Sequence, residues 1–181
     1  WKQSTDVGGI SSTASNGTLL VLDGGFGREL CGGGFGWRQE DVPGSDFDFD
    51  TTEKHSGTRS ARISFDGTQN MTYQHLSQTV VVVPGKHYRF RGWLRTDRIS
   101  TESGMRFEIV DPKDRKNLDV FTPNETGTQP WTLEEIDFTP GPKTHLILIQ
   151  VARTPSKRLD NRLNGTVWVD DVDIVPVASQ K

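Results

Sequence analysis

Apolar residues in this chain recur at every second position, in short runs broken by Gly and Pro, and no stretch repeats them at helical spacing. Period two sends alternate side chains to opposite faces of a strand. The last run, residues 165–175, reads GTVWVDDVDIV. Trp168, Asp170, Val172 and Ile174 share one parity; Val167, Val169, Asp171, Asp173 and Val175 share the other. Trp168, Val172 and Ile174 are the larger apolar set, so their side is expected to be the core. Asp170 then falls on the core side, where an ionised carboxylate is costly unless it is hydrogen-bonded, paired or bound to a metal.

The same reading runs up the chain. Leu19–Leu22 is a short apolar first strand. Phe47 and Phe49 alternate with Asp46, Asp48 and Asp50. Residues 60–65 turn Ala61, Ile63 and Phe65 inward, and residues 70–83 are β-rich. Tyr88, Phe90 and Leu94 share one face of the next strand; Arg89, Arg91, Trp93 and Arg95 share the other. Further strands follow at 104–110, 131–139 and 146–151, the last apolar on both faces as a central strand should be. That makes roughly eight to ten strands with turn signals every ~8–12 residues. The fold class is all-β: a two-sheet antiparallel β-sandwich, a jelly roll.

The 181 residues suit one domain. Residues 1–18 are rich in Ser, Thr and Gly and read as a flexible linker, 19–177 as the jelly-roll domain and 178–181 as a tail. The chain opens on Trp1, so it is expected to be a piece of something longer. The net charge is −3, from 21 basic and 24 acidic residues. That balance makes no electrostatic case for nucleic acid or an anionic membrane. No run approaches the ~20 apolar residues of a membrane-spanning helix. The single Cys31 allows no internal disulfide and reads as structural or incidental. The glycines at 32–34 and 36 lack the Lys-Ser/Thr and the following helix of a phosphate loop. Asp46, Asp48 and Asp50 lack the Gly and Glu of a calcium-binding helix–loop–helix, and read as a solvated strand face.

Taken in order, DGGF at 23–26, GFGW at 34–37, HSGTRSARI at 55–63, QTVVVVPGKHYRFRGWLRT at 78–96, WTLEEIDFT at 131–139 and GTVWVDDVDIV at 165–175 form a specific set. The set resembles carbohydrate-binding modules of the family four, nine and twenty-two type, which adopt the galactose-binding-like jelly roll. The resemblance implies a non-catalytic module for a poly- or oligosaccharide, within a larger extracytoplasmic protein. It implies that Trp37, Trp131 and Trp168 fill the core. It also implies a structural calcium, with Asp170 as the main side-chain ligand, Asp23 as a second, and carbonyls near Gly57–Arg59, Arg59 included, completing the shell. Here Gly27 stands where the family often has Glu. Asp170 satisfied by backbone N–H groups or by an Arg is the alternative.

A sugar site needs an aromatic platform and planar polar groups on a solvent-facing surface. Trp93 shares the non-core face with Arg89, Arg91 and Arg95. Tyr73 and Gln74 come from the preceding strand. Arg106 and Glu108 are expected on the same side as Trp93, and Gln150 is a further candidate. The arginine density points to an acidic glycan, because a guanidinium forks a carboxylate. If acids pair with these arginines, the face is a neutral ionic network instead. The competing reading is a structural or protein-interaction jelly roll that docks another domain of its parent protein. An enzyme is disfavoured: Glu108 with Glu134 or Glu135 lacks a supporting motif, and the four His have no metal spacing.

Overall fold

The computed structural model describes residues 20–30 and 32–177. The linker expected at 1–18, the tail at 178–181 and Cys31 lie outside the described residues. Ten strands form two five-stranded sheets. They are β1 (Arg38–Gln39), β2 (Ser45–Asp50), β3 (Ser60–Asp66), β4 (Leu76–Val81), β5 (Tyr88–Ile99), β6 (Arg106–Val110), β7 (Asp119–Phe121), β8 (Gly127–Phe138), β9 (Leu146–Ala152) and β10 (Asn164–Pro176). The front sheet has the order β1-β4-β9-β6-β7 and the back sheet β2-β3-β10-β5-β8, with every pair antiparallel. This is the jelly-roll sandwich expected from the alternation.

The core lies between the sheets. The front sheet turns Leu76, Val80, Phe107, Ile109, Ile147, Ile149 and Val151 inward; the back sheet turns in Ala61, Ile63, Phe65, Phe90, Leu94, Val167 and Val169. Complete burial of each large apolar side chain stabilises by ~1.5–3 kcal/mol. Gly92 sits mid-strand because a Cβ there would come within 2.8 Å of the Phe107 ring from the opposite sheet.

Three expectations fail, each for a local reason. Residues 20–22 are not a strand: the N–H and C=O of Leu22 are both taken by the Gln78 side-chain amide, at 2.8 Å each, and not by a neighbouring strand. Trp168 is not on the core face. Val167 and Val169 are fully buried, and Trp168 points outward. A β-bulge at Asp170–Asp173, with Asp171 at φ 46°, then reverses the parity and turns Val172 and Ile174 inward. A reading of one unbroken period misses that reversal. Trp131 is likewise outside the core, partly exposed on the outer face of β8, whereas Trp37 is buried against Phe26.

Candidate functional site

The outer faces of the two sheets carry different chemistry, and the proposed site residues divide between them. Arg106, Glu108, Gln74 and Gln150 lie on the front sheet, while Trp93, Arg89, Arg91 and Arg95 lie on the back sheet. The expectation that Arg106 and Glu108 share a face with Trp93 is therefore wrong. Their strand, β6, pairs with β9 and β7, not with β5. Tyr73 is on neither outer face. It is fully buried, and its hydroxyl donates to Gln39 Oε1 at 3.1 Å.

On the front sheet, antiparallel register aligns Arg38, Ser77, Gln150, Glu108 and Phe121 in one row across all five strands. Four strand spacings of ~4.8 Å make the row about 19 Å long. Glu108 is its anchor and is only 1% exposed. One carboxylate oxygen accepts from the amides of Gln74 and Gln150, and the other accepts from Arg115. Arg115 also pairs with Asp119 at 3.0 Å while about half its side chain faces solvent. Gln74, Ser77, Arg38 and Phe121 are each partly exposed around it. A buried carboxylate thus fixes two amides and a guanidinium. Each amide keeps one donor and one acceptor site beyond its bond to Glu108. Groups held this way are already ordered before a ligand arrives, which lowers the entropic cost of binding. Arg106, two residues along β6, lies over the Phe121 ring with its guanidinium carbon 4.0 Å from the ring centroid. At the opposite edge, Phe35 is 49% exposed beside Leu22, Thr79 and Val81.

On the back sheet the arginines are already partnered. Arg89 forks Asp137 at 2.7 and 2.9 Å, Arg91 meets Glu135 at 2.7 Å, and Arg95 lies 3.5 Å from Glu53. The Arg89 guanidinium holds the Asp137 carboxyl below its ordinary value. Trp93 is covered: the His55 ring stacks on it with centroids 3.7 Å apart. Trp131 donates to Glu53 at 3.0 Å and Trp168 to Asp50 at 2.9 Å. The segment 51–59 thus straps this face, and the ring N–H groups of Trp131 and Trp168 are both satisfied.

The strap also accounts for Asp170. Asp170 is fully buried, with its strand partner Trp93 on the outer side of the back sheet and the 55–56 turn above it. Its Oδ2 accepts from the backbone N–H of His55 at 2.9 Å and of Ser56 at 3.1 Å; its Oδ1 accepts from Asp171 N–H at 2.8 Å. Burial, helped by the Asp171 charge, pushes its carboxyl above the ordinary value, and the N–H groups act against that rise. Asp171 is held by His55 Nδ1 at 2.6 Å and Ser56 Oγ at 2.9 Å. Gly24 packs so close that a Cβ would lie 1.9 Å from the Val172 carbonyl oxygen, which brings the DGGF turn onto the bulge. Yet Asp23 turns its carboxylate to the N–H groups of Gly27 and Arg28, at 2.9 and 3.0 Å. The Arg59 side chain donates to the Phe26 carbonyl at 2.8 Å. Among the described residues no three His, Cys, Asp or Glu side chains converge. These N–H donors satisfy the buried Asp170 carboxylate from the backbone.

Sequence reasoning missed Arg38, Ser77, Arg115 and Phe121. Phe121 sits on β7, three residues long, too short to show alternation; Arg38 and Ser77 become visible only through strand register, and Arg115 only through the β6–β7 turn that carries it back to Glu108.

No protein-family model matches the chain, and a search of curated proteins finds no match. Solved structures do match. The CBM22-1 xylan-binding domain from Paenibacillus barcinonensis Xyn10C superposes with a TM-score of 0.59 at 14% identity, covering 91% of this chain and 97% of that one. The chain has the fold of a carbohydrate-binding-module jelly roll. TmCBM61, solved with beta-1,4-galactotriose, matches at a TM-score of 0.57 and 18% identity over 88% of this chain and 99% of that one. The CBM22-1–GH10 modules of Clostridium thermocellum xylanase 10B, complexed with xylohexaose, match at 0.57 and 13% over 90% of this chain and 29% of that one. No helix among the described residues is long and apolar enough to cross a membrane.

Proposed function

We propose that this chain is a non-catalytic, oligosaccharide-binding module of a larger extracytoplasmic protein, and that its sugar lies along the outer face of the front sheet. The observation that carries the reading is the row from Arg38 to Phe121, with Glu108 buried beneath it as the anchor of Gln74, Gln150 and Arg115. Amides and guanidinium groups fixed in this way can read ring hydroxyls, and Phe121 and Phe35 supply apolar contact at the two edges. The structural neighbours that bind xylan or are complexed with beta-1,4-galactotriose or xylohexaose support the same class of ligand. A back-sheet site has less support, because its arginines are paired and Trp93 lies under His55. An acidic glycan, the finer expectation, therefore needs cations elsewhere.

A specific observation favours one second reading. Leu22, Phe35, Val81 and Val83 are exposed together along the β4 edge of the front sheet. Such a strip would suit docking of another domain of the parent protein. As for calcium, we propose that the fold stands without it, since backbone N–H groups already satisfy Asp170.

A glycan array probed with the wild type and with Ser77→Tyr separates these readings. Ser77 sits mid-row on a strand, where an aromatic residue is well tolerated. The wild type should bind at least one glycan class, and the variant should melt like the wild type yet bind none. A blank array for the wild type sinks the sugar reading and leaves the docking strip. Undiminished binding by the variant moves the site off the front sheet.

A further inference from the structure

Arg106 does double duty in the geometry. Beyond its stack on Phe121 it lines an open pocket of about 390 Å³ at the end of the sandwich, together with Glu102, Ser103, Asn124, Thr154, Pro155 and Lys157. Neither Arg106 nor Lys157 has an acidic partner among the described residues. The one acid in the pocket is already engaged. Both Glu102 carboxylate oxygens accept from Ser156 Oγ, at 2.7 and 2.9 Å, and Arg158 stands 3.9 Å away. The Ser156 hydroxyl holds the Glu102 carboxyl below its ordinary value. Asn124 is committed too, accepting from Gly104 N–H at 2.8 Å and donating to the Glu102 carbonyl at 2.9 Å.

Behind this pocket sits a third cation. Arg153 is 1% exposed, and every hydrogen bond it makes is to a neutral oxygen: the Ser103 carbonyl at 2.8 Å, the Met71 carbonyl at 2.6 Å, Thr101 Oγ1 at 3.0 Å and the Asn70 amide oxygen at 3.4 Å. Such a shell satisfies the donors with neutral oxygens, and the Glu102 charge offsets part of the guanidinium's. An arginine stays protonated even when buried. In a low-dielectric surrounding its field reaches farther than in water. Ser103, whose carbonyl accepts from this guanidinium, and Thr154, the residue after Arg153 in the chain, both line the pocket. Two unpaired cations in front and one buried cation behind make the pocket attractive to an anion.

We infer that this pocket is an anion subsite beside the front-sheet row, taking the carboxylate or sulfate group of an acidic sugar residue on Arg106 and Lys157. The inference rests on the glycan-binding reading for its sugar chain, because Arg106 belongs both to the pocket and to the face that carries the row. It relocates the charge recognition expected of Arg89, Arg91 and Arg95 to cations that have no partner.

The test is an amide chemical-shift titration of the folded chain at low ionic strength with D-glucuronate, glucose 6-sulfate and D-glucose, each in the millimolar range. The charged sugars should shift Gly104, Thr154 and Lys157, and glucose should not. The sulfate and glucuronate arms rank the two anions. Arg106→Gln should weaken the response at least tenfold. Lys157→Gln, on an exposed loop with no folding role, should weaken it severalfold, and added salt should weaken it further. No response to either anion, an equal response to glucose, or a response untouched by both variants overturns the subsite. If a neutral oligosaccharide shifts Ser77 and Phe121 while the anions do nothing, the front-face site stands and the subsite falls. If the anions shift the pocket and no glycan shifts the row, the subsite stands without the front-face site.

Discussion

The two outer faces of this sandwich are built from the same alternation, yet one is open and the other is closed. The back face holds three of the five tryptophans, Trp93, Trp131 and Trp168. By composition it is the obvious place for a sugar. The 51–59 strap covers it, and its groups already have partners: His55 on Trp93, Glu53 on Trp131, Asp50 on Trp168, and acids on Arg89 and Arg91. The front face has no tryptophan in its row. Its buried Glu108 instead fixes the amides of Gln74 and Gln150, which have no other side-chain partner among the described residues. Aromatic content marks where a strap packs; unspent hydrogen-bonding capacity marks where a ligand can sit.

The largest expected effect is on the closed face. Asp170→Ala removes the acceptor of three backbone N–H groups, each costing ~1–3 kcal/mol when left buried and unpaired. Because the turn can open to water, the net loss should be about 3 kcal/mol by chemical denaturation, with glycan binding unchanged. A binding defect without a stability defect would break the comparison.

A seam between the faces should respond to pH. Glu134, which faces inward from β8, is 3% exposed, and burial with the nearby Glu125 charge and hydrogen bond pushes its carboxyl from 4.5 to about 7. An acid whose folded value is raised contributes most stability below its unfolded value, and that contribution is lost as pH rises from 4.5 toward 7. The loss should be on the order of 2 kcal/mol. Glu134→Gln should flatten the pH dependence of the melting midpoint over that window; an unchanged slope would remove this carboxyl from the account.

Trp93→Ala should cost about 2 kcal/mol, below the ~3–5 kcal/mol of a fully buried aromatic, and should leave glycan retention intact. Phe121→Ala reverses the pattern, weakening glycan binding about tenfold, or ~1.4 kcal/mol, while barely moving the melt. The smallest expected effect is that of a chelator: a folded-state ion would stabilise by mass action, so an unmoved midpoint on ion-free protein is the outcome for an Asp170 held by N–H groups. A clear downward shift on chelation would restore calcium.

The sandwich itself was legible because alternation survives along most of each long strand. Tyr88, Phe90 and Leu94 face in and Arg89, Arg91, Trp93 and Arg95 face out, as their parity requires. The last strand was legible only in halves, since its bulge reverses the face between Val169 and Val172. The burial of Asp170 could be foreseen, but not what covers it, because the strap comes from a segment more than a hundred residues away. The candidate site was the least legible part. Gln74, Arg106, Glu108 and Gln150 stood out as polar residues on strands, yet only the register between β4, β9, β6 and β7 makes them neighbours. Parity assigns a residue to a face of its own strand and is silent on which sheet that strand joins.

Whether sugar lies on the front face is tested most directly by amide chemical-shift mapping with the soluble oligosaccharide that binds best on the array. Shifts are expected at Ser77, Gln150 and Phe121, with His55, Trp93 and Asp171 unmoved. Shifts centred on His55, Trp93 and Trp131 would contradict a front-face site and show that the strap opens to admit a ligand.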